Sequence, residues 1–195
     1  MIQVRMHGRG GQGVVTGAEM LSIAAFHEGR HAQAFPSFGS ERMGAPVMAF
    51  CRIDERPIRV REPVMAPDVL VIQDSTLLHQ VDLFNGLSAD GYVLLNSRRG
   101  YEQLGIAEFA RRIRPGRIVT LAATNIAVEH VGRPVPNVPL LGAFAALTGI
   151  VHLASVEAAI RAKFDGRVRD ANIAAARAAH EATLALLERP NAETD

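Results

Sequence analysis

The feature that most constrains this chain is an abrupt change of backbone habit at Gly8-Arg9-Gly10-Gly11-Gln12-Gly13. Before it, residues 2–7 alternate, with Ile2, Val4 and Met6 on one side and Gln3, Arg5 and His7 on the other, the pattern of a short strand. After it, residues 14–28 turn helical, with Val15, Ala18, Leu21, Ile23, Ala25 and Phe26 falling mostly on one face and Gly29 placed to end the helix. Strand, glycine turn, helix is the opening of a wound α/β fold. The spacing Gly8-x-Gly10-x-x-Gly13 lets a backbone approach a phosphate, and the free N–H groups of a helix start favour an anion. The same glycines also serve a tight turn beside a subunit contact, and both readings stand. Arg9 and Gln12 favour an anion or a partner, because a plain turn needs neither.

Two familiar nucleotide readings fit poorly. A Walker A loop needs Lys and Ser or Thr where Val14 and Val15 stand. A nicotinamide site needs an acidic residue at the second strand tip, but that strand, expected over 31–35, ends at Ala34-Phe35-Pro36. Glu28 sits at a helix end, not a strand tip.

The remaining pattern predicts strands over 47–53 and 57–61 forming a hairpin, and buried strands over 69–72, 91–96 and 117–121. It predicts a short helix over 76–81 capped by Ser75, and helices over 103–113, 123–131 and 139–150, the last apolar almost all round. Ser155 and Asp170 are the expected caps of helices over 156–164 and up to 188, the latter with a stripe of Ile173, Ala176, His180, Leu184 and Leu187. The fold class is α/β: a single Rossmann-like domain over 1–188 with a mostly parallel, partly mixed sheet, a helical C-terminal part and a frayed tail over 189–195. With 195 residues the chain has ample material for a core.

Composition narrows the function. A formal charge of +1 and 5% aromatic residues argue against a nucleic-acid platform. No apolar run reaches the roughly 18 residues of a membrane span, and no signal-peptide apolar region precedes the first strand, so a cytoplasmic protein is expected. Cys51 is the single cysteine, which excludes an internal disulfide, a Cys-only zinc site and a Cys-ligated iron–sulfur cluster. It lies in an apolar run and reads as a buried, inert thiol. His27 and His31 are separated by Gly29 and share no helix face, so the histidines suggest no metal site.

The loop over 36–46 is the most specific segment. It carries Phe35 and Phe38 with Ser37, Ser40, Glu41 and Arg42, fenced by Gly39, Gly44 and two prolines, which suits a surface that another molecule reads. Asn137, before the apolar helix, either caps that helix or points into a cleft at the strand ends.

Taken together, residues 7–13, 33–47 and 137–143 resemble the gamma subunit of 2-oxoacid:acceptor oxidoreductases, nearest the pyruvate:ferredoxin branch, and the resemblance runs from residue 1 to about 185. It implies one Rossmann-like unit, inactive alone, inside a complex with alpha, beta and iron–sulfur (delta-type) subunits. Thiamine diphosphate, Mg2+ and [4Fe-4S] clusters are implied in those other chains, coenzyme A as co-substrate, and ferredoxin or another acceptor for the electrons. By position it implies Gly8, Arg9, Gly10, Gly11, Gln12, Gly13, Ser37, Gly39, Ser40, Glu41, Arg42 and Asn137 as candidates for coenzyme A or subunit contact. Ser37 and Met43 depart from the family pattern, which leaves pyruvate, phenylglyoxylate and other aromatic or branched 2-oxoacids open. Outside the resemblance stand an NAD(P)-binding protein and a purely structural interface module.

Overall fold

The computed structural model describes residues 1–37 and 43–188. Its centre is a six-stranded sheet of β1 (Ile2–Arg9), β2 (His31–Pro36), β3 (Pro46–Asp54), β4 (Val69–Ile72), β5 (Tyr92–Asn96) and β6 (Ile118–Leu121), ordered β2-β3-β1-β4-β5-β6. β1, β4, β5 and β6 run parallel, while β3 pairs antiparallel with both β1 and β2. The expected mixed sheet is therefore present, with its antiparallel part confined to one side of β1.

β4 and β5 read as unbroken apolar runs because both faces of the sheet are covered there. On one face Val4, Met6, Cys51, Val69, Val71, Leu94 and Val119 join the main core with α1 (Val14–His27) and α4 (Asn137–Thr148). On the other, Leu70, Ile72, Val93 and Leu95 pack with Leu77 and Leu83 from the chain after β4 and with Leu104 and Ile106 from the chain leading into α2 (Ala107–Arg112). α3 (Ala123–Val131), α5 (Leu153–Lys163) and α6 (Gly166–Glu188) complete the helical part. Cys51 is fully buried, and desolvation pushes its thiol up to about 12, as expected of an inert core residue.

α4 is buried along nearly its whole length, between the sheet and α6. Gly142 is what lets α6 come so close, because a Cβ there would strike the carbonyl of Ala176. The buried face of α6 runs through Asn172, Ile173, Ala175, Ala176, Ala179 and Thr183, so Ile173 and Ala176 of the expected stripe are buried. Leu184, expected on the buried stripe, is 41% exposed. Alanines make up half of this buried face, which is what the close approach at Gly142 requires.

Several expected details differ. Residues 57–61 form no strand. They cross one face of the sheet, and buried Arg52 donates to the carbonyls of Val60 (3.4 Å) and Glu62 (2.6 Å) in place of a partner strand. The helix over 103–113 is only α2, because Gly105 adopts φ +70° and interrupts the turn before it. The short helix after β4 is a 3-10 turn over Ser75–His79 capped by Asp74, whose carboxylate accepts from the Thr76 N–H at 2.9 Å; Ser75 is not the cap. α5 begins at Leu153, and the Glu28 carboxylate takes the His152 N–H at 2.7 Å, so Ser155 is not its cap. α6 begins at Gly166, which places Asp170 inside the helix, paired with Arg169 at 2.8 Å.

His7, 6% exposed on β1, has no partner for Nε2. Burial first, and the nearby Arg5 guanidinium second, lower its pKa to about 4.

Two outcomes follow for stability. Gly142→Ala should destabilise the fold by about 1–3 kcal/mol through overpacking against α6, read from urea unfolding. His7 is neutral in the folded chain and takes a proton on unfolding between about pH 6.5 and 4, so stability rises with pH across that window. Full loss of this contribution on acidification is about 3 kcal/mol. His7→Leu should remove about 1.4 kcal/mol per pH unit from the acid-side slope, and an unchanged slope would show that His7 titrates normally.

Candidate functional site

The glycine loop leaves β1 at a point where side chains have no room. A Cβ on Gly8 would lie 2.6 Å from Val14 Cγ2 and 3.1 Å from Gln73 Cβ. Gly13 has φ +71° and abuts the Asn137 amide, so this turn requires glycine on both counts. Gly10 is bracketed by the end of the next loop. Its N–H donates to Ala45 O at 2.9 Å and its carbonyl accepts from Gly44 N at 3.1 Å. Gly11 adopts φ +92° with the Met43 thioether against it.

The two polar side chains of the loop are turned inward on the protein. Gln12 Oε1 accepts from the Arg9 N–H and its Nε2 donates to Asp74 Oδ2, both at 2.8 Å. The Arg9 guanidinium pairs with Asp74 at 3.3 Å and donates to Thr76 Oγ1 (2.7 Å), Gln80 Oε1 (3.0 Å) and Gly44 O (3.1 Å). Arg9 is a latch joining the ends of β1, β3 and β4. Burial would raise the pKa of Asp74, but hydrogen bonds from Thr76 and Gln12 and the charge of Arg9 outweigh it and hold the carboxyl below its usual range.

Asn137 follows neither of its expected directions: it is the first residue of α4, whose cap position is Pro136, and it does not line the crevice at the strand ends. Its Oδ1 accepts from Val138 N at 2.9 Å, at the start of α4, and its Nδ2 donates to Gly13 O at 3.2 Å. It is a buried tie between helix and loop. Ser37 extends the β2–β3 ladder, its N–H donating to Met48 O at 2.8 Å. Gly39, Ser40, Glu41 and Arg42 lie outside the described residues. The described candidates therefore converge on one rim, where β1, β2 and β4 end.

Beside that rim, the ends of β4, β5 and β6 enclose a polar crevice of about 340 Å³. It lies where ligands of open parallel sheets are bound, outside the carboxyl ends of the strands. Gln12, Gln73 and Asp74 line one side, Asn96, Ser97, Arg98 and Arg99 the second, and Thr124 and Asn125 of α3 the third. Asn96 holds the three strand ends together: its Nδ2 donates to Gln73 O and Thr124 Oγ1 at 2.8 Å, and its Oδ1 accepts from Thr124 N at 3.1 Å. Sequence motifs did not single out Gln73, Asp74, Asn96, Arg98, Arg99 or Thr124. A positional signal was present nonetheless, since each lies at, or a few residues beyond, the end of a segment readable as a strand.

The topology also bears on the nicotinamide reading. In a dinucleotide fold the second strand lies beside the first; here antiparallel β3 separates β2 from β1. Among the described residues no three His, Cys, Asp or Glu side chains come together as metal ligands, and no helix is long and apolar enough to cross a membrane. One buried cysteine cannot furnish the four thiolates of a cluster.

Residues 3–182 match the family described as pyruvate ferredoxin/flavodoxin oxidoreductase. The chain is 48% identical over 183 residues to the pyruvate/ketoisovalerate oxidoreductases common subunit gamma of Pyrococcus abyssi, covering 94% of this chain and 97% of that one. It is likewise 48% identical to the pyruvate synthase subunit PorC of Methanothermobacter marburgensis, covering 93% of this chain and 97% of the relative. The crystal structure of pyruvate oxidoreductase subunit PORC from Thermotoga maritima superposes with a TM-score of 0.77 at 39% identity, covering 92% of this chain and 95% of that one. The chain belongs to the pyruvate ferredoxin/flavodoxin oxidoreductase family, as a gamma subunit of the pyruvate:ferredoxin type.

Proposed function

We propose that this chain works in the cytoplasm inside a complex that oxidatively decarboxylates a 2-oxoacid, pyruvate first, to an acyl-CoA and CO2, passing the electrons to ferredoxin. The observation that carries this reading is the end-to-end match to gamma subunits, 48% identical over 97% of the relative's length. Thiamine diphosphate, Mg2+ and [4Fe-4S] clusters belong to alpha, beta and iron–sulfur partner chains. When bound there, the thiamine group supplies the decarboxylation and the clusters carry single electrons. A lone buried cysteine does not fit this chain for either task.

What this chain contributes is docking surface and an anion-friendly edge to the site for coenzyme A. The latched glycine loop supports that role. Arg9, Gln12 and Asn137 spend their hydrogen bonds on fixing its shape, so the loop meets a neighbouring chain as a preformed surface and little ordering entropy is lost on assembly. Ser37 belongs to the same rim.

Reconstitution tests the reading. The partner chains with this subunit should reduce ferredoxin on addition of pyruvate and coenzyme A, and omission of the subunit should lower that rate roughly tenfold or more. Oxidation of a 2-oxoacid by this chain unaided, or full activity of the partners without it, would overturn the proposal. A panel of 2-oxoacids in the same assay names the substrate.

A further inference from the structure

Residues 57–61 alternate as a strand does, yet the chain gives them no strand to pair with. From Glu55 to Pro67 no backbone group bonds to another backbone group of the described residues. Side chains serve the carbonyls instead: Arg52 reaches Val60 and Glu62, Arg5 reaches Val64 and Met65, and Gln3 reaches Ala66. None of the N–H groups of Ile58, Arg59, Val60, Arg61 and Glu62 donates to a described residue. Val60 and Glu62, two residues apart, both turn their carbonyls to Arg52, as alternate residues of an extended chain do. The backbone groups of Arg59 and Arg61 then face the other way, along an edge left open to pairing.

Charge is the second observation, and it is independent of the backbone. The acidic residues of the stretch are already engaged. Asp54 pairs with the N-terminal ammonium at 3.2 Å, Glu55 with Arg30 at 3.0 Å, and the charge of Glu62 acts on buried Arg52. Arg56, Arg59 and Arg61 are exposed, and none has an acidic partner among the described residues. Charges and prolines such as Pro57 and Pro63 also guard an edge against pairing. A guard works with either sign of charge. Here the acids are neutralised and the arginines are not, so the edge repels a basic strand and admits an acidic one.

We propose that residues 58–62 receive an extended, acidic segment of a neighbouring chain, added as a strand. Its backbone pairs with the N–H and carbonyl groups of Arg59 and Arg61, and its carboxylates meet Arg56, Arg59 and Arg61. Arg52 and Gln3, which bond to each other at 3.1 Å beneath this edge, lie at the end of β3 and the start of β1. The surface is therefore remote from the glycine loop and is a second docking site. That the neighbour belongs to the 2-oxoacid complex rests on the function proposed above; the chemistry of the segment does not.

Hydrogen exchange of the full chain tests this. A peptide of about six residues alternating glutamate and valine should slow the amides of residues 58–62 about tenfold, and its lysine counterpart should not. In assembly with the alpha, beta and iron–sulfur chains of its host, the same amides should slow tenfold or more. Arg59→Glu with Arg61→Glu changes exposed positions and leaves the core untouched. It should weaken that assembly about tenfold, with the penalty shrinking as salt is added. No effect of the acidic peptide, or equal protection by both peptides, overturns the inference whatever the partner chains do. Wild-type assembly by the charge-reversed variant overturns it too, as does protection in the concentrated isolated chain, which would give the edge to a second copy. An assembly protected at residues 58–62 that oxidises no 2-oxoacid overturns only the proposed function, and an active assembly with those amides open overturns only this inference.

Discussion

The Asp74 carboxylate is the fixed point around which this end of the molecule is organised. It caps the 3-10 turn after β4 through Thr76, takes the Gln12 amide from the glycine loop, and pairs with Arg9 at the end of β1. Through Arg9 the same cluster reaches Gly44 and Gln80. Three segments far apart in sequence are thereby held by one buffered charge, and its lowered pKa is the thermodynamic counterpart of that work. Without such a hub, a loop with four glycines in six residues would sample many conformations.

The same cluster shows how the neighbours of a glycine fingerprint set the shape of its loop. In a dinucleotide fold the loop's N–H groups wait for a pyrophosphate. Here the Gly10 N–H is closed by Ala45, and the side chains of Arg9 and Gln12 turn back on the protein. The inserted antiparallel strand β3 makes this arrangement possible, since it carries the 43–46 segment up against the loop in register with Gly8 and Arg9. The motif is shared with nucleotide-binding folds; the neighbours that decide its use are not.

Much of the architecture was legible because it follows from local pattern. Alternation marked β1, unbroken apolar runs marked β4 and β5, and an all-round apolar segment marked α4 as the core helix. What escaped was decided by partners distant in sequence. Asp74 outcompeted Ser75 as a cap because its carboxylate also satisfies Arg9 and Gln12, and Glu28 serves the His152 N–H from 124 residues away. Asn137 could be read as a cap from its place before a helix, but its tie to Gly13 spans 124 residues and has no local signature. The crevice residues were invisible to motif reading for the same reason: Gln73, Asn96 and Thr124 become neighbours only when parallel strands bring their ends together.

The missing strand over 57–61 shows how a plausible local pattern is overruled. A strand there would need backbone partners, yet the sheet has already used both edges of β3 on β1 and β2. The segment instead lies across one face, and the sheet answers its carbonyls with side chains. Arg52 serves Val60 and Glu62, while Arg5 serves Val64 and Met65 with one end of its fork and Leu83 and Asn85 with the other. A lysine could not do this, because its single ammonium cannot reach two separate stretches of chain while lying flat in a buried layer. Burial pulls the pKa of both arginines down, yet a guanidinium starts so high that it keeps its proton. Arginine thus lets an irregular cover lie against β1 and β3, with the carbonyls of Val60, Glu62, Val64, Met65, Leu83 and Asn85 each given a donor.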